Sequence, residues 1–246
     1  MNRFYTTLTA LIFSLTLCSQ EAKTFTPNIA AKWAPTGLLV GGFSLQGEYR
    51  IDGKHSLTAK IGIPLTANRS FEYEGDDAIF QMKATSFLAG FRNYFSRKKS
   101  MQGLYLEPYF KYVHHAAEGV TNSSLNGKPV KWNFTNDYNA FGIGAQLGAQ
   151  FIVAKRFVID LFFLGPEINS ASDNFKAVEV SNSVPWVLNG DDEKEAARQV
   201  QDFLNQFPFI RNKVDVKVDN MSKTVAADFK GALPGIRTGI SIGFAF

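Results

Sequence analysis

Apolar and polar residues alternate one by one through most of this chain. Beyond its N-terminal segment no apolar run approaches the roughly 20 residues of a spanning helix. Alternation at period two gives a strand one greasy and one polar face. Any part of such a chain that enters a bilayer must close into a barrel, because lipid cannot satisfy an open strand edge. The pattern therefore predicts an all-β fold: an antiparallel barrel, turned either toward lipid or around an apolar interior.

The alternation divides into about eight strands. A first, weaker strand carries Ile29, Ala31 and Trp33 on one face and ends before Pro35. From Leu39, one face holds Leu39, Gly41, Phe43, Leu45, Gly47 and Tyr49; the other holds Ser44, Gln46, Glu48 and Arg50. After a turn at Asp52-Gly53, Leu57, Ala59, Ile61 and Ile63 oppose Ser56, Thr58 and Lys60. Phe87, Ala89 and Phe91 oppose Gly90 and Arg92, and Leu104, Leu106, Phe110 and Tyr112 oppose Tyr105, Glu107, Tyr109 and Lys111. Phe141, Ile143, Leu147 and Phe151 then oppose Gly142, Gly144, Gln146 and Gly148. Phe157, Ile159, Leu161 and Phe163 oppose Val158, Asp160 and Phe162, and the last strand sets Ile236, Ile240, Ile242, Phe244 and Phe246 against Arg237, Gly239 and Ser241.

Short turns at Asp52, Ser96 and Val153 alternate with connections at 35–38, 66–81, 116–137 and 169–233, of which the last three are long. That is the layout of a barrel whose short turns share one end, with both termini at that end. Pro64 is expected at a strand end and Pro108 at a bulge, since each lacks a ladder donor. The last connection is too long to be plain loop, so 169–233 is expected to be a structured external segment. In it Asp191-Asp192-Glu193 opens a helix with Ala196, Val200, Phe203, Leu204 and Phe207 on one face, ended by Pro208. A strand at 213–219 then pairs with 224–230 as a hairpin. Trp33, Tyr73, Tyr112, Trp132, Tyr138 and Trp186 are candidates for an aromatic girdle.

The two faces differ in charge. The apolar face carries no acid or base, whereas the other holds Glu48, Arg50, Lys60, Arg92, Glu107, Lys111, Asp160 and Arg237. An eight-stranded barrel is just wide enough for its own side chains to fill. Charges inside it are expected to pair into a closed lumen network rather than line a pore. Inward glycines such as Gly142, Gly144 and Gly148 relieve crowding there.

Arg3 and the apolar 8–17 read as an export signal, placed at 1–22, with 23–246 as the barrel. Cys18 is the only cysteine, which excludes an internal disulfide; Leu17 before it makes a poor lipidation site. A net charge of +4 does not point to nucleic acid.

The final strand, Gly239-Ile240-Ser241-Ile242-Gly243-Phe244-Ala245-Phe246, resembles the C-terminal signature of bacterial outer-membrane barrels. The chain is similar in layout to the small outer-membrane barrels of Bacteroidota and, more loosely, to OmpA-like and OmpX-like membrane domains. The resemblance implies a location in the Gram-negative outer membrane, outer-membrane lipids as surroundings, and the barrel assembly machinery as partner, reading Ile240, Ile242, Phe244 and Phe246. The long connections are the expected contact with a surface partner. A secreted soluble barrel enclosing a hydrophobic ligand is the rival reading.

No catalytic motif stands out: there is no phosphate-binding loop, dinucleotide fingerprint or zinc signature, and no cofactor is implied. A lipid-modifying enzyme would need His114 or His115 beside a serine and a carboxylate, with Ser123, Ser124 and Glu118 nearest in sequence. Neighbours on a strand point to opposite faces, so the two histidines cannot share one ligand without distortion.

Overall fold

The computed structural model describes residues 26–73, 76–96, 100–205 and 213–246. The expected signal segment lies outside these. The strands are β1 (Ile29–Ala34), β2 (Gly42–Arg50), β3 (His55–Pro64), β4 (Ala67–Tyr73), β5 (Asp76–Tyr94), β6 (Gly103–Leu125), β7 (Lys128–Val153), β8 (Phe157–Glu179), β9 (Asp215–Asp219) and β10 (Thr224–Ala245). The single helix among the described residues, α1, spans Asp191–Asn205. Eight strands run β1–β2–β3–β5–β6–β7–β8–β10 in antiparallel order, and β10 returns to β1, closing the ring. At the seam Ala30 lies opposite Ala245 and Trp33 opposite Ile242. The Phe246 carbonyl accepts from the amides of Asn28 and Ile29, and its own amide donates to Ile29. Closure leaves the ring no free edge.

The alternation resolves in one direction. Ile143 is 62% exposed and Ile236 76%, while Glu107 and Asp160 on the opposite faces are 0% exposed. The greasy face thus forms an outward belt and the charged face fills the interior, which excludes a barrel folded around an apolar cavity. Along β7 the belt runs from Phe151 to Phe141, about 34 Å of strand, or about 26 Å of height at the usual barrel tilt.

Several boundaries differ from the sequence reading. The second strand starts at Gly42 rather than Leu39, because Pro35–Val40 form a 3₁₀ turn that Gly41 ends in the left-handed region at φ 76°. The long gaps at 66–81 and 116–137 are not loops. The first is the β4–β5 hairpin, and the second is β6 and β7 continuing to a turn at Asn126-Gly127, with φ 50° and 78°. The third connection shrinks to 180–223, because β8 and β10 stay paired up to Val178 and Thr224. Inside it the helix and the β9–β10 hairpin lie where expected.

Pro64 does end β3, but Pro108 sits at no bulge: β6 keeps one register against β5 on either side of it. The bulge is in β8. Phe163 is the extra residue there, and the registers with β7 and β10 both shift at that point. Phe163 and Leu164 both face outward in consequence, at 56% and 47% exposure.

Strands β5 to β10 rise well beyond the belt, while β1, β2 and β3 stop at its rim. The polarity of the tall strands inverts there without any break in register. Above Phe141, the outward positions of β7 become Asn139, Asp137, Thr135 and Asn133, and the inward ones Tyr138, Asn136, Phe134, Trp132 and Val130. The inner face of this wall is thus mostly apolar, with Asn136 donating to Asp173 within it at 2.9 Å, and its distal part is covered by α1. Leu125, Val130, Trp132, Ala177 and Val225 bury Ala196, with Val200 packed alongside. Trp132 and Trp186 meet edge-on at 5.9 Å in this core, and Tyr138 packs inward, so these three form no girdle. Tyr112 and Trp33 do lie on the outer face, against Phe141 and Phe43. The side chains of Tyr73, Phe203 and Leu204, and all of Phe207, lie outside the described residues.

Inward glycines make room for rings on the neighbouring strand. Gly144 lies opposite Tyr109 and Gly148 opposite Tyr105, and the Phe162 ring crowds Gly239. A Cβ at Gly144 would sit 2.7 Å from both the Tyr109 hydroxyl and the Pro166 carbonyl. Backbone cannot step aside, so Gly144→Val is expected to cost about 1–3 kcal/mol. Gly47, on the outer face, has nothing within 4 Å of such an atom, and Gly47→Ala should stay within about 0.5 kcal/mol of the parent. Urea unfolding of the refolded protein in detergent checks both; equal effects would contradict the packing described.

A sealed charge network as the candidate functional site

Alternation brings one inward charge from each of five strands to a single level near the short-turn end. Lys32 comes from β1, Glu48 from β2, Arg92 from β5, Glu107 from β6 and Asp160 from β8. All five side chains are fully buried. Lys32 Nζ donates to Glu48 at 2.7 Å, to Asp160 at 2.8 Å and to Gln150 at 2.7 Å, which uses its three protons. Arg92 donates through Nε and Nη2 to Glu107 at 2.9 and 2.7 Å. Its Nη1 reaches Asp160 at 3.0 Å, Gln150 at 2.9 Å and Glu48 at 3.2 Å.

Neutral donors occupy the remaining carboxylate lone pairs. Tyr94 and Ser56 hydroxyls donate to Glu48 at 2.6 and 2.7 Å, and the Tyr105 hydroxyl donates to Asp160 at 2.7 Å. Thr58 and Gln146 donate to Glu107. The Arg92 guanidinium also lies 3.7 Å from the Tyr105 ring centre, within cation–π range. Two cations face three anions, so these five side chains carry one net negative charge, and thirteen hydrogen bonds meet it, as buried charges require. These contacts reach across the ring, joining β5 to β8 and β2, and they occupy the lumen at that level.

A second group sits above. Lys111 pairs with Glu167, which also accepts from the Tyr109 hydroxyl at 2.9 Å and from Asn169 at 3.2 Å. Lys60 and Arg237 face the Phe162 ring at 5.8 and 5.0 Å. Of the charges read from sequence, then, Glu48, Arg92, Glu107 and Asp160 converge, Lys111 joins the upper group, and Lys60 and Arg237 rest on aromatics. Arg50 is at the short-turn rim, bonded to Asn28 and Ser100, and is no part of either cluster.

Lys32 and Glu167 were not singled out from sequence. Lys32 alternates with Ala31 and Trp33, so its face was readable. Glu167 was not, because the Phe163 bulge reverses the parity that β8 shows up to that point.

The external segment is anchored by polar contacts. Glu193, in the first turn of α1, accepts from the Asn189 amide at 2.5 Å and from Asn220 at 2.8 Å, and Asp192 accepts from Asn126 at 2.7 Å. Glu179 and Lys223 pair at 2.5 Å where β8 and β10 leave the ladder. Burial pushes the Glu179 carboxyl up, but the Lys223 ammonium and the Ser181 amide outweigh it and hold it below its ordinary value. At the opposite end, the His55 ring and the amides of Lys54 and His55 hold the exposed Asp52 carboxyl down to about 2.

His114 and His115 fall on opposite faces. His114 faces out, 3.0 Å from Asn139 and 3.9 Å from Asp137, while His115 packs inward on Tyr138. Ser123 and Ser124 lie about 30 Å further along the same strand. Among the described residues no group of three or more His, Cys, Asp or Glu is placed to hold a metal ion.

No protein-family model matches the sequence, and no curated protein matches it. Among solved structures, the chain is similar to the crystal structures of CarO and CarO2 from Acinetobacter baumannii, at 11% and 10% identity. Each likeness covers 92% of this chain and 100% of the other, with a TM-score of 0.41.

Arg92→Met leaves Glu48 and Asp160 to Lys32 and strips Glu107 of its bonded cation. Breaking a buried charge network in this way is expected to cost about 3–5 kcal/mol in urea unfolding. Arg50→Met at the rim should cost under about 1 kcal/mol. A near-neutral Arg92→Met would show that the network does not hold the barrel together.

Proposed function

We propose that the chain is an outer-membrane β-barrel with a closed lumen, whose tall, helix-covered wall projects outside the cell as a surface-interaction module. The observation that carries this reading is the inversion of polarity along continuous strands. Apolar residues face outward over about 26 Å, the height of a barrel's lipid-facing band. Directly above, on the same strands, polar residues face outward and apolar ones turn in. A belt of that height facing water would be an exposed patch far larger than soluble monomers tolerate. The short turns and both ends of the ring then lie on the periplasmic side.

The buried network supports a lumen that does not conduct. Ile240, Ile242, Phe244 and Phe246 lie on the outer face of the seam strand, where the assembly machinery would read them. The partner-facing part is the distal tip. Val184, Val187, Leu188 and Met221 are 68–78% exposed there, around the buried Trp186, whose amide bonds to the Asn220 carbonyl of the facing turn. This reading assigns no catalytic step, since His114 is engaged by Asn139 and its nearest sequence serines are far along the strand.

The protein should fractionate with outer membranes and migrate differently on detergent gels before and after boiling, as folded membrane barrels do. Release into the soluble fraction would overturn the membrane reading. In planar bilayers it should give no stepwise conductance. Excising 180–222 and joining Glu179 to Lys223 through Asn-Gly should preserve the heat shift, because the β8–β10 ladder already ends there. The same excision should abolish whole-cell binding to the surface partner; intact binding would remove the tip from the proposal.

A further inference from the structure

Each short turn of the barrel carries two or three bases. In sequence, 50–55, 96–102 and 153–156 together hold seven Lys or Arg against one acid, Asp52. Among the described residues, Arg50 and Lys54 flank the β2–β3 turn, and Lys155 and Arg156 lie in the β7–β8 turn. Asp52 is engaged elsewhere: the His55 ring meets it at 2.8 Å, and the amides of Lys54 and His55 donate to it at 2.7 and 2.8 Å. Arg50 is bonded to the neutral side chains of Asn28 and Ser100, and Lys54 and Lys155 form no ion pair among the described residues.

The excess survives a full count. With Asp52 and a carboxylate at Phe246 both set against them, these four bases leave the rim at +2. The interior does not cancel it. Lys32, Lys60, Arg92, Lys111 and Arg237 point inward against Glu48, Glu107, Asp160 and Glu167, which adds one more positive charge. The outer wall differs, since Glu118, Asp137, Asp215, Asp219 and Asp228 offset Lys83, Lys176, Lys217 and Lys230. The short-turn end is therefore the end that attracts anions.

The backbone of the β7–β8 turn is held in an uncommon form to present one of these bases. Ala154 and Lys155 take φ 48° and 69°, the left-handed pair of a two-residue hairpin, where Asn-Gly is the usual choice. The Arg156 amide closes the turn on the Val153 carbonyl at 3.2 Å. Lysine at the second position strains the backbone and sets an ammonium group at the apex.

Depth identifies the anion. Tyr49 precedes Arg50 and Phe157 follows Arg156, and both belong to the outward face. Tyr49, Phe95, Phe244 and Phe246 are exposed along this end of the belt, and the Phe157 ring meets Phe244 edge-on at 5.9 Å. The bases thus begin about 3.3 Å of strand beyond the last belt residues. On the membrane reading above, on which this inference rests, that is the level of lipid headgroups. We propose that the short-turn rim binds acidic phospholipids of the periplasmic leaflet, with Lys54 and Lys155 on their phosphates.

The test is native mass spectrometry of the full chain in mild detergent, titrated in parallel with phosphatidylglycerol and phosphatidylethanolamine of identical acyl chains. The parent is expected to bind phosphatidylglycerol at least about fivefold more tightly. Lys54→Gln with Lys155→Gln should lose at least about fivefold for phosphatidylglycerol and little for phosphatidylethanolamine. Lys83→Gln with Lys230→Gln, on the balanced outer wall, should keep the parent's selectivity. Lys155→Gly should raise the urea midpoint while weakening phosphatidylglycerol binding, because it relieves the backbone and removes the charge. Equal affinity of the parent for the two lipids overturns the proposal and leaves the rim to a periplasmic anion of another kind. Equal loss in the rim and outer-wall variants overturns it too. Each protein is also checked for its heat shift. A shift without selectivity removes only the rim site, whereas no shift in the parent removes the membrane reading itself.

Discussion

Arg92 is the residue on which the interior depends. It draws Glu48, Glu107 and Asp160, from three different strands, to one guanidinium. None of these carboxylates could be taken from water into the centre of a narrow ring without a cation to meet it. Lys32 completes the set from the first strand, so the network ties strands at the start of the chain to strands near its end. Such pairing adds less to stability than an apolar core of the same volume would. What it adds here is register. A strand slipped by one residue would turn its charge toward the belt and leave the others unpaired, so the wrong pairing is penalised on both faces at once.

The same constraint accounts for the glycines. A ring of eight strands has little interior, and the network already fills one level of it. Tyr105, Tyr109 and Phe162 fit beside it only because Gly148, Gly144 and Gly239 present bare backbone. The bulge at Phe163 belongs to this arrangement. It lets β8 place Asp160 and Phe162 inside below it and Glu167 inside above it, while two consecutive apolar residues face outward between. Without the extra residue, Glu167 would face the belt and Lys111 would lose its partner.

These features mark where the sequence was readable and where it was not. Within the belt, one face of each strand is uniformly apolar, so alternation alone gave the strands and the converging charges of Glu48, Arg92, Glu107 and Asp160. Above the belt the alternation persists with its phase inverted. At 116–137 that inversion looks like loss of pattern, although Asn126-Gly127 is a strong hairpin signal in the middle of it. Lys32 is hard to read from sequence because β1 is short and its outward face, Ile29, Ala31 and Trp33, is a weak stripe. Glu167 was out of reach for a different reason: no local residue type announces a bulge at Phe163, and one inserted residue exchanges the two faces of everything after it. Trp132 and Trp186 looked like girdle residues because aromatic composition does not distinguish a membrane boundary from a small apolar core.

The phase inversion also explains how one set of strands carries two structures. On the membrane reading, lipid covers the outer face of the belt, and the interior must be polar and self-paired. Beyond it, water covers the outer face and the inner face becomes the apolar one. A sheet with one apolar face needs a second layer. The helix supplies it, held by Asp192 and Glu193 to the turns at Asn126 and Asn220, while β9 widens the wall at the edge of β10. The projecting wall is therefore a small two-layer unit with its own core, built on the barrel but not on its lumen. Among the described residues, the helix contacts the ring only through the shared strands, so the charge network around Arg92 lies outside this unit. On the proposed reading, that separation would put recognition on the wall and leave the barrel as the anchor.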